Sequence, residues 1–180
     1  MRKVVSGLFI SVDGVVEAPH LWQFDVFDQD MIEIMSAHLA GEDSILLGRV
    51  TYSEWAPYWP TSTDEPYASH INNTPKIVVS TTLKQVDWKN STLVSGNLPG
   101  VIGELKRKPG KNIGVAGSPT LVRSLLRDDL LDELILMVHP VIAGSGRRLF
   151  AEGDALKRLK LVNSKVAGSG VAVLTYHRHA

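Results

Sequence analysis

Residues 112–126, with the sequence NIGVAGSPTLVRSLL, pass from a strand into a helix within a few residues. Asn112 to Ala116 is predicted as a strand, because it is a short apolar run that a glycine ends. Pro119 to Leu126 is predicted as a helix, because proline suits the first helical turn, where its missing amide hydrogen costs nothing. The stretch therefore predicts a strand that leads directly into a helix.

The same alternation of strand and helix recurs along the chain. The other predicted strands are Val4 to Ile10, Ser44 to Leu47, Ile77 to Ser80, Thr92 to Ser95 and Leu134 to Val138. Further helices are predicted at Met31 to Leu39, after Gly48, and at Leu98 to Lys106. This alternation favours an α/β fold with three layers, a mostly parallel central sheet with helices on both faces.

Two regions depart from this alternation. Pro57 to Pro75 is rich in Pro, Ser and Thr and is expected to be loose. Leu159 to Ala167 and Val171 to His177 flank Gly168-Ser169-Gly170, which predicts a C-terminal antiparallel hairpin. Leu134 to Val138 is too apolar to be an edge strand. No internal repeat is present, and we expect a single domain over residues 1–180.

Composition excludes several classes of function. The 180 residues are 44% hydrophobic, and 19 basic residues balance 19 acidic ones, so no overall field attracts nucleic acid or anionic membrane. The absence of cysteine excludes thiol catalysis and thiolate metal sites, and it fits a cytoplasmic location. The six histidines show no metal-ligand pairing on a helix face, so no metal site is predicted. The apolar run at the start is too short for a signal peptide, and no stretch reaches membrane-spanning length.

In α/β sheets, ligands bind beyond the carboxyl ends of the strands. At the exit of the 112–116 strand, Gly117 would let a ligand approach the backbone, and Ser118 is placed to cap the helix that Pro119 begins. The positive end of that helix is a candidate pyrophosphate site. The predicted contacts are Gly117, Ser118, Pro119, Thr120 and Leu121.

Two other strand exits carry groups that suit phosphate. Gly48, Arg49 and Thr51 offer helix amides, a guanidinium and a hydroxyl. Ser80 and Thr81 begin a run of hydroxyls after another buried strand. Each exit also has a plainer interpretation. Gly48 can be a turn, Arg49 a solvated charge and Thr51 a helix cap, while Ser and Thr commonly form turns after strands.

These motifs, in this order and spacing, resemble those of dihydrofolate-reductase-like proteins. The start is similar too, with GLFISVDGVV at residues 7–16 and then Trp22. The later run LDELILMVHPVIAGSGRRLF, residues 131–150, resembles the reductase domain of the bifunctional riboflavin-biosynthesis protein more than folate reductase itself. The resemblance spans almost the whole chain.

The resemblance implies NADPH as the cofactor. It puts Arg49 and Thr51 at the cofactor phosphates and Ser80 and Thr81 near the ribose 2′-phosphate, and it wraps residues 117–121 around the pyrophosphate. It implies reduction of a pterin- or pyrimidine-type heterocycle, with 5-amino-6-(5-phosphoribosylamino)uracil as one candidate. A non-catalytic nucleotide-binding protein on the same fold and a true dihydrofolate reductase are the alternatives.

The substrate end is less defined by the sequence. Asp13, Trp22 and Asp28 are the candidate substrate residues, and no catalytic residue is identified. Asp28 also suits the N-cap of the Met31 to Leu39 helix, and Asp13 also suits the shaping of a loop. That helix lacks the basic residues with which the riboflavin-pathway reductase holds its substrate phosphate. His38, on its apolar face, is expected to be packed.

A homodimer is expected, because the terminal hairpin leaves a sheet edge that proteins seldom leave bare. The resembling riboflavin-pathway reductases are commonly dimeric. The predicted interface is this hairpin or the loop at Gly144 to Phe150, and a charge at Val173 would dissociate the dimer if that residue faces the partner. The alternative is a hairpin that packs under a helix of its own chain.

Overall fold

The computed structural model describes residues 1–179, which form one eight-stranded sheet with helices on both faces. The strands are β1 (Val4–Ser11), β2 (Glu42–Gly48), β3 (Lys76–Val79), β4 (Ser91–Val94), β5 (Asn112–Val115), β6 (Glu133–His139), β7 (Leu159–Val166) and β8 (Ala172–Arg178). The helices are α1 (Gln29–Ala40), α2 (Arg49–Trp55), α3 (Tyr67–Asn73), α4 (Leu98–Arg107) and α5 (Pro119–Arg127).

The strand order is β4-β3-β2-β5-β1-β6-β8-β7. The pairs among the first six strands are all parallel, whereas β8 runs antiparallel to β6 and β7 antiparallel to β8. β6 lies inside the sheet, as its apolar sequence predicts. The predicted fold class, a mostly parallel sheet with a C-terminal antiparallel hairpin, is confirmed.

Alternation along the strands gives each face of the sheet its own core. On one face, α4 and α5 bury Ile102, Leu121, Val122 and Leu125 against Val4, Leu8, Leu46, Ile113 and Leu134. On the other face, α1 covers Met137 and Val173 with Met31, while Tyr52 of α2 and Ile71 of α3 pack near Ile45, Leu47 and Val78. Each fully buried apolar side chain contributes about 1.5–3 kcal/mol, so these two interfaces are what hold the three layers together.

The region from Pro57 to Pro75 is not wholly loose, because it contains α3. Ala68 and Ile71 of this helix are buried. The ammonium group of Lys76 is buried as well and donates hydrogen bonds to carbonyl groups at the end of α3. The prediction failed here because the helix has only seven residues and its stabilising contacts come from outside it.

The terminal hairpin is covered on one face by its own chain. Val173 is only 8% exposed and packs with Met31 of α1, so its side chain does not face outward. The suggestion that Val173 faces a partner is therefore wrong, and the alternative, a hairpin under its own helix, holds for β8. The edge strand β7 differs, because its residues are mostly exposed, including Val166 at 68%.

Within residues 1–179, no helix combines the length and apolar character needed to cross a membrane. The same residues contain no group of three His, Cys, Asp or Glu side chains placed to hold a metal ion.

Candidate nucleotide and substrate site

The sheet order brings the predicted phosphate-binding residues to one edge. β3, β2 and β5 are neighbours, so the ends of three adjacent strands meet here: Gly48 ends β2, Ser80 follows β3 and Gly117 lies two residues after β5. Adjacent strands lie about 4.8 Å apart, which places the three exits within reach of one extended ligand. The structure thus brings together residues that are far apart in the sequence.

Two buried hydroxyl groups join the β2 and β5 exits. The Ser118 hydroxyl donates to Thr51 Oγ1 at 2.8 Å and accepts a hydrogen bond from the Gly48 amide at 2.7 Å. The Ser118 amide also donates to Thr51 Oγ1, at 2.9 Å. Both residues are less than 8% exposed. These bonds fix the shape of the two loops, so Thr51 and Ser118 have a structural role at this edge of the sheet.

This arrangement corrects the expectation that the Ser118 side chain caps α5. Ser118 occupies the N-cap position, but its side chain makes no capping hydrogen bond. Its hydroxyl is bonded to Gly48 and Thr51 instead, and its backbone is left-handed, with φ of 54°. The first turn of α5 therefore keeps amide groups without a side-chain cap, which suits an anionic ligand.

Gly117 is required by its surroundings. Its φ is +53°, a conformation that favours glycine, and a Cβ atom added to it would lie 3.0 Å from Thr51 Oγ1. Along α5, Thr120 is exposed, whereas the Leu121 side chain is buried in the core. Leu121 can therefore offer a ligand only its backbone amide.

The side chains predicted to bind the adenosine end of the cofactor differ in whether they are already hydrogen-bonded within the chain. The Arg49 side chain is exposed and forms no hydrogen bond or ion pair with the rest of the described chain. The buried Ser80 hydroxyl accepts hydrogen bonds from the amides of Thr82, at 3.2 Å, and Leu83, at 3.0 Å, so it shapes the turn. Thr81 is exposed. Arg49 and Thr81 are thus free to contact a phosphate.

Asp13 ties the exit of β1 to the loop after β6. Its carboxylate accepts hydrogen bonds from the Ser11 hydroxyl at 2.6 Å and from the amides of Ala143 at 2.9 Å and Gly144 at 3.0 Å. The bond from Ser11, followed by those from the two amides, lowers the pKa of Asp13 to about 2. The loop-shaping interpretation of Asp13 fits these contacts.

Asp28 caps α1, as the sequence suggests. One carboxylate oxygen accepts from the Met31 amide at 3.0 Å, and the other accepts from the Ser169 amide at 2.6 Å. The bond from Met31 is the main reason that the pKa of Asp28 is lowered. With both oxygens bonded to the backbone, Asp28 joins α1 to the β7–β8 turn. His38 packs against β1, since its ring lies 3.2 Å from a Cβ placed on Gly7.

One residue of this edge was missed as a site candidate. His139 ends β6 and is fully buried, between Phe9 and Trp22. Its ring centroid lies 5.5 Å from that of Phe9 and 5.4 Å from that of Trp22, both in edge-on geometry. Burial lowers the pKa of His139 and favours the neutral imidazole. The available signal in the sequence was its position directly after the predicted strand Leu134 to Val138.

The loop junction at Asp13 yields a pH-dependent prediction. Because the pKa of Asp13 is about 2, below its ordinary 3.8, the carboxylate stabilises the fold above pH 4 and loses this contribution as the pH falls toward 2. Asp13→Asn should therefore destabilise the protein most near neutral pH, and the difference from wild type should shrink toward pH 2. Denaturant unfolding at a series of pH values measures this difference.

Asp25→Asn is the matched control, since Asp25 is an exposed carboxylate on the segment that follows. A wild-type to Asp13→Asn difference that stays constant from neutral to acid pH would contradict the assigned role of Asp13.

The mostly parallel sheet and its C-terminal antiparallel hairpin form a dihydrofolate-reductase-like fold. The Enterococcus faecalis dihydrofolate reductase, solved in complex with NADP(H), matches 99% of this chain and 97% of its own with a TM-score of 0.67 and 13% identity. The chain belongs to the RibD C-terminal domain family, whose model matches residues 2–173.

Two further relatives cover the whole fold. A solved Shewanella sp. PV-4 protein named for riboflavin biosynthesis has a TM-score of 0.80 and 23% identity, with 99% of both chains covered. The uncharacterized protein YyaP of Bacillus subtilis (strain 168) is 29% identical over 182 residues, which cover 98% of this chain and 95% of YyaP.

Proposed function

We propose that this protein is an NADPH-dependent oxidoreductase that reduces a pterin- or pyrimidine-type heterocycle. The observation that carries the proposal is the set of hydrogen bonds among Gly48, Thr51 and Ser118. These bonds join two loops at one edge of the sheet, and both loops carry groups that suit phosphate. Membership of the RibD C-terminal domain family supports a reductase of the riboflavin-biosynthesis type.

The residues present fit a dinucleotide. Gly117 packs directly against the Thr51 side chain, which sets the loop before α5, and the first turn of α5 has no side-chain cap to compete with a pyrophosphate. The exposed Arg49 and Thr81 would contact the ribose 2′-phosphate. A guanidinium there favours NADPH over NADH, because NADH lacks that phosphate.

The roles of cofactor and protein would be those usual for nicotinamide-dependent enzymes. The cofactor supplies the hydride, and the protein supplies orientation and a site from which water is excluded. Asp13 holds the β1 exit against the loop after β6, and Trp22 covers the end of β6. No strongly activated side chain is needed for this chemistry.

NADPH oxidation in the presence of candidate heterocycles tests the proposal. We expect turnover with a pyrimidine such as 5-amino-6-(5-phosphoribosylamino)uracil or with a reduced pterin. Turnover restricted to dihydrofolate would indicate a true dihydrofolate reductase. Binding of NADPH without turnover of any heterocycle would indicate a nucleotide-binding protein, and the absence of NADPH binding would refute the proposal altogether.

Arg49 is predicted to determine cofactor preference. A hydrogen bond to a charged group contributes roughly 1.5–3 kcal/mol, so Arg49→Ala should weaken NADPH binding about 10- to 100-fold. NADH binding should be nearly unchanged. Calorimetric titration with both cofactors measures the two effects separately.

Arg158→Ala serves as the control, because Arg158 is an exposed arginine just before β7, at the opposite edge of the sheet. Equal weakening of NADPH and NADH by Arg49→Ala would show that Arg49 does not contact the 2′-phosphate.

We also propose a two-fold symmetric homodimer. The edge strand β7 exposes apolar side chains at Leu161, Val162 and Val166, on a strand whose outer backbone groups have no neighbouring strand. The loop at Gly144 to Phe150 is the second candidate interface, since Phe150 is 49% exposed. Sedimentation at micromolar concentration should show a dimer, and a single monomeric species would refute this proposal.

A further inference from the structure

The end of β6 carries a buried imidazole without partners. Within residues 1–179, neither ring nitrogen of His139 has a hydrogen-bond partner, although the residue is completely buried. Gln23 Oε1 and Ser169 Oγ are also buried and unpartnered. Gln23 follows Trp22, which contacts His139, and Ser169 donates its amide to Asp28. An unmade hydrogen bond in a buried site is costly, so such groups point to a ligand.

His139 lies on the same edge of the sheet as the nucleotide loops. β6 is two strands from β5, about 10 Å across the sheet at the usual strand spacing. Val115 is level with Leu134, so His139 also lies about three residues further along the strand direction than Gly117, and the two residues are roughly 14 Å apart. His139 shares a sheet face with Met137 and Phe9, which α1 covers. If the adenosine end of a dinucleotide binds at Arg49, a ligand at His139 would lie on the side of its nicotinamide end.

The side chains in ring contact with His139 are aromatic. The rings of Phe9 and Trp22 lie at 69° and 72° to the imidazole plane, and the Phe27 ring centroid is 6.0 Å from that of Phe9. The nearby carboxylates of Asp13 and Asp28 are occupied by backbone amides. A neutral imidazole offers one N–H donor and one acceptor nitrogen. This combination suits a flat, uncharged ring with carbonyl and N–H groups at its edge.

The cover over His139 is a short segment. Trp22 lies between two single turns, Pro19–Leu21 and Phe24–Val26, neither of which has a side-chain cap. Leu21 is 76% exposed and Phe24 is 64% exposed, so this segment buries little of its own apolar surface. Outward movement of Trp22 would open the imidazole to the site.

We propose that His139 contacts the substrate directly, by a hydrogen bond from its imidazole to an uncharged pyrimidine-type ring that enters as Trp22 moves aside. This proposal rests on the proposed reductase function, which supplies the substrate class. It adds a specificity-determining residue that favours neutral rings over anionic ones.

The test uses 5,6-diaminouracil as the probe, with the full chain labelled with 15N at histidine. Imidazole 15N–1H spectra are recorded as the probe is added, with and without saturating NADPH, and the His139 signal is the one missing from His139→Phe. We expect the His139 ring nitrogens to shift on binding. In His139→Phe the probe should bind about five- to tenfold more weakly, as for one lost neutral hydrogen bond, with NADPH affinity unchanged.

His20→Phe is the matched control, because His20 is an exposed histidine on the covering segment and should leave probe affinity unaltered. Unshifted His139 nitrogens, or no probe binding by wild type, would overturn the assignment of His139 even if NADPH binds and is oxidised. If His139→Phe does not fold, the imidazole spectra of the wild-type protein alone show whether the probe contacts a histidine ring. If the wild-type protein does not bind NADPH, the reductase proposal is refuted, whether or not the probe binds.

Discussion

Replacing Gly117 by valine is expected to raise the dissociation constant of NADPH more than about 100-fold, a loss of roughly 3 kcal/mol. Valine disfavours the φ of +53°, and its Cβ would lie 3.0 Å from Thr51 Oγ1. The side chain would displace Thr51 and disturb its hydrogen bonds to Ser118, and with them the shape of the loop proposed to bind the pyrophosphate. We expect a destabilised but folded protein, since one strained residue costs about 1–3 kcal/mol.

Gly153→Val separates backbone strain from loss of the site. Gly153 also has a positive φ, of +86°, but a Cβ there meets nothing within 4 Å. It should therefore show a similar strain cost and unchanged NADPH affinity. Calorimetric titration of both variants, with thermal unfolding to check the fold, measures the difference. Gly117→Val protein that folds and binds NADPH like wild type would remove this loop from the site.

A charge at Val173 is expected to unfold the chain rather than to dissociate a dimer. Val173 is 8% exposed and packs beneath α1, so Val173→Asp would bury an unpaired carboxylate at a cost of at least about 3 kcal/mol. That is a large fraction of the stability of a typical domain. Thermal unfolding should show a marked loss of cooperativity or of melting temperature.

Val166→Lys should leave the fold intact and dissociate the dimer, because Val166 is 68% exposed on the edge strand. We expect this variant to keep its melting behaviour and to sediment as a monomer. Ile32→Lys, at a 41% exposed apolar residue of α1, is the control that should remain dimeric. A dimer that survives Val166→Lys would exclude β7 and leave the loop at Gly144 to Phe150. Folded Val173→Asp protein of normal stability would contradict the packing of the hairpin.

Most of the fold could be predicted because its strands are apolar and separated by clear turn signals. The strand Asn112–Val115 and the helix from Pro119 lie where the sequence indicates, within one residue at most boundaries. α3 could not be predicted, because its stability depends on burial of Ile71 in the cluster that contains Ile45 and Leu47 of β2. Long-range contacts of this kind leave no local pattern.

The strand ends at Gly48 and Gly117 could be predicted from the sequence, and the sheet order brings them to one edge, but the contacts of their residues could not be predicted. Ser118 is hydrogen-bonded to Thr51, which is 67 residues away in the sequence. This bond depends on the pairing of β2 with β5, which no local sequence motif predicts. His139 was missed for the same reason, because only the folded chain shows that its nitrogens are buried beside Trp22 without partners.

We propose that the joined exits of β2 and β5, together with the neighbouring exit of β3, bind NADPH. Calorimetric titration of the wild-type protein with NADPH and, separately, with NADH tests it most directly. We predict saturable binding of one NADPH per chain, with NADH bound at least about tenfold more weakly, as expected for loss of a charge-assisted contact at Arg49. No detectable heat of binding with either dinucleotide, at protein concentrations where the chain is folded, would contradict the account.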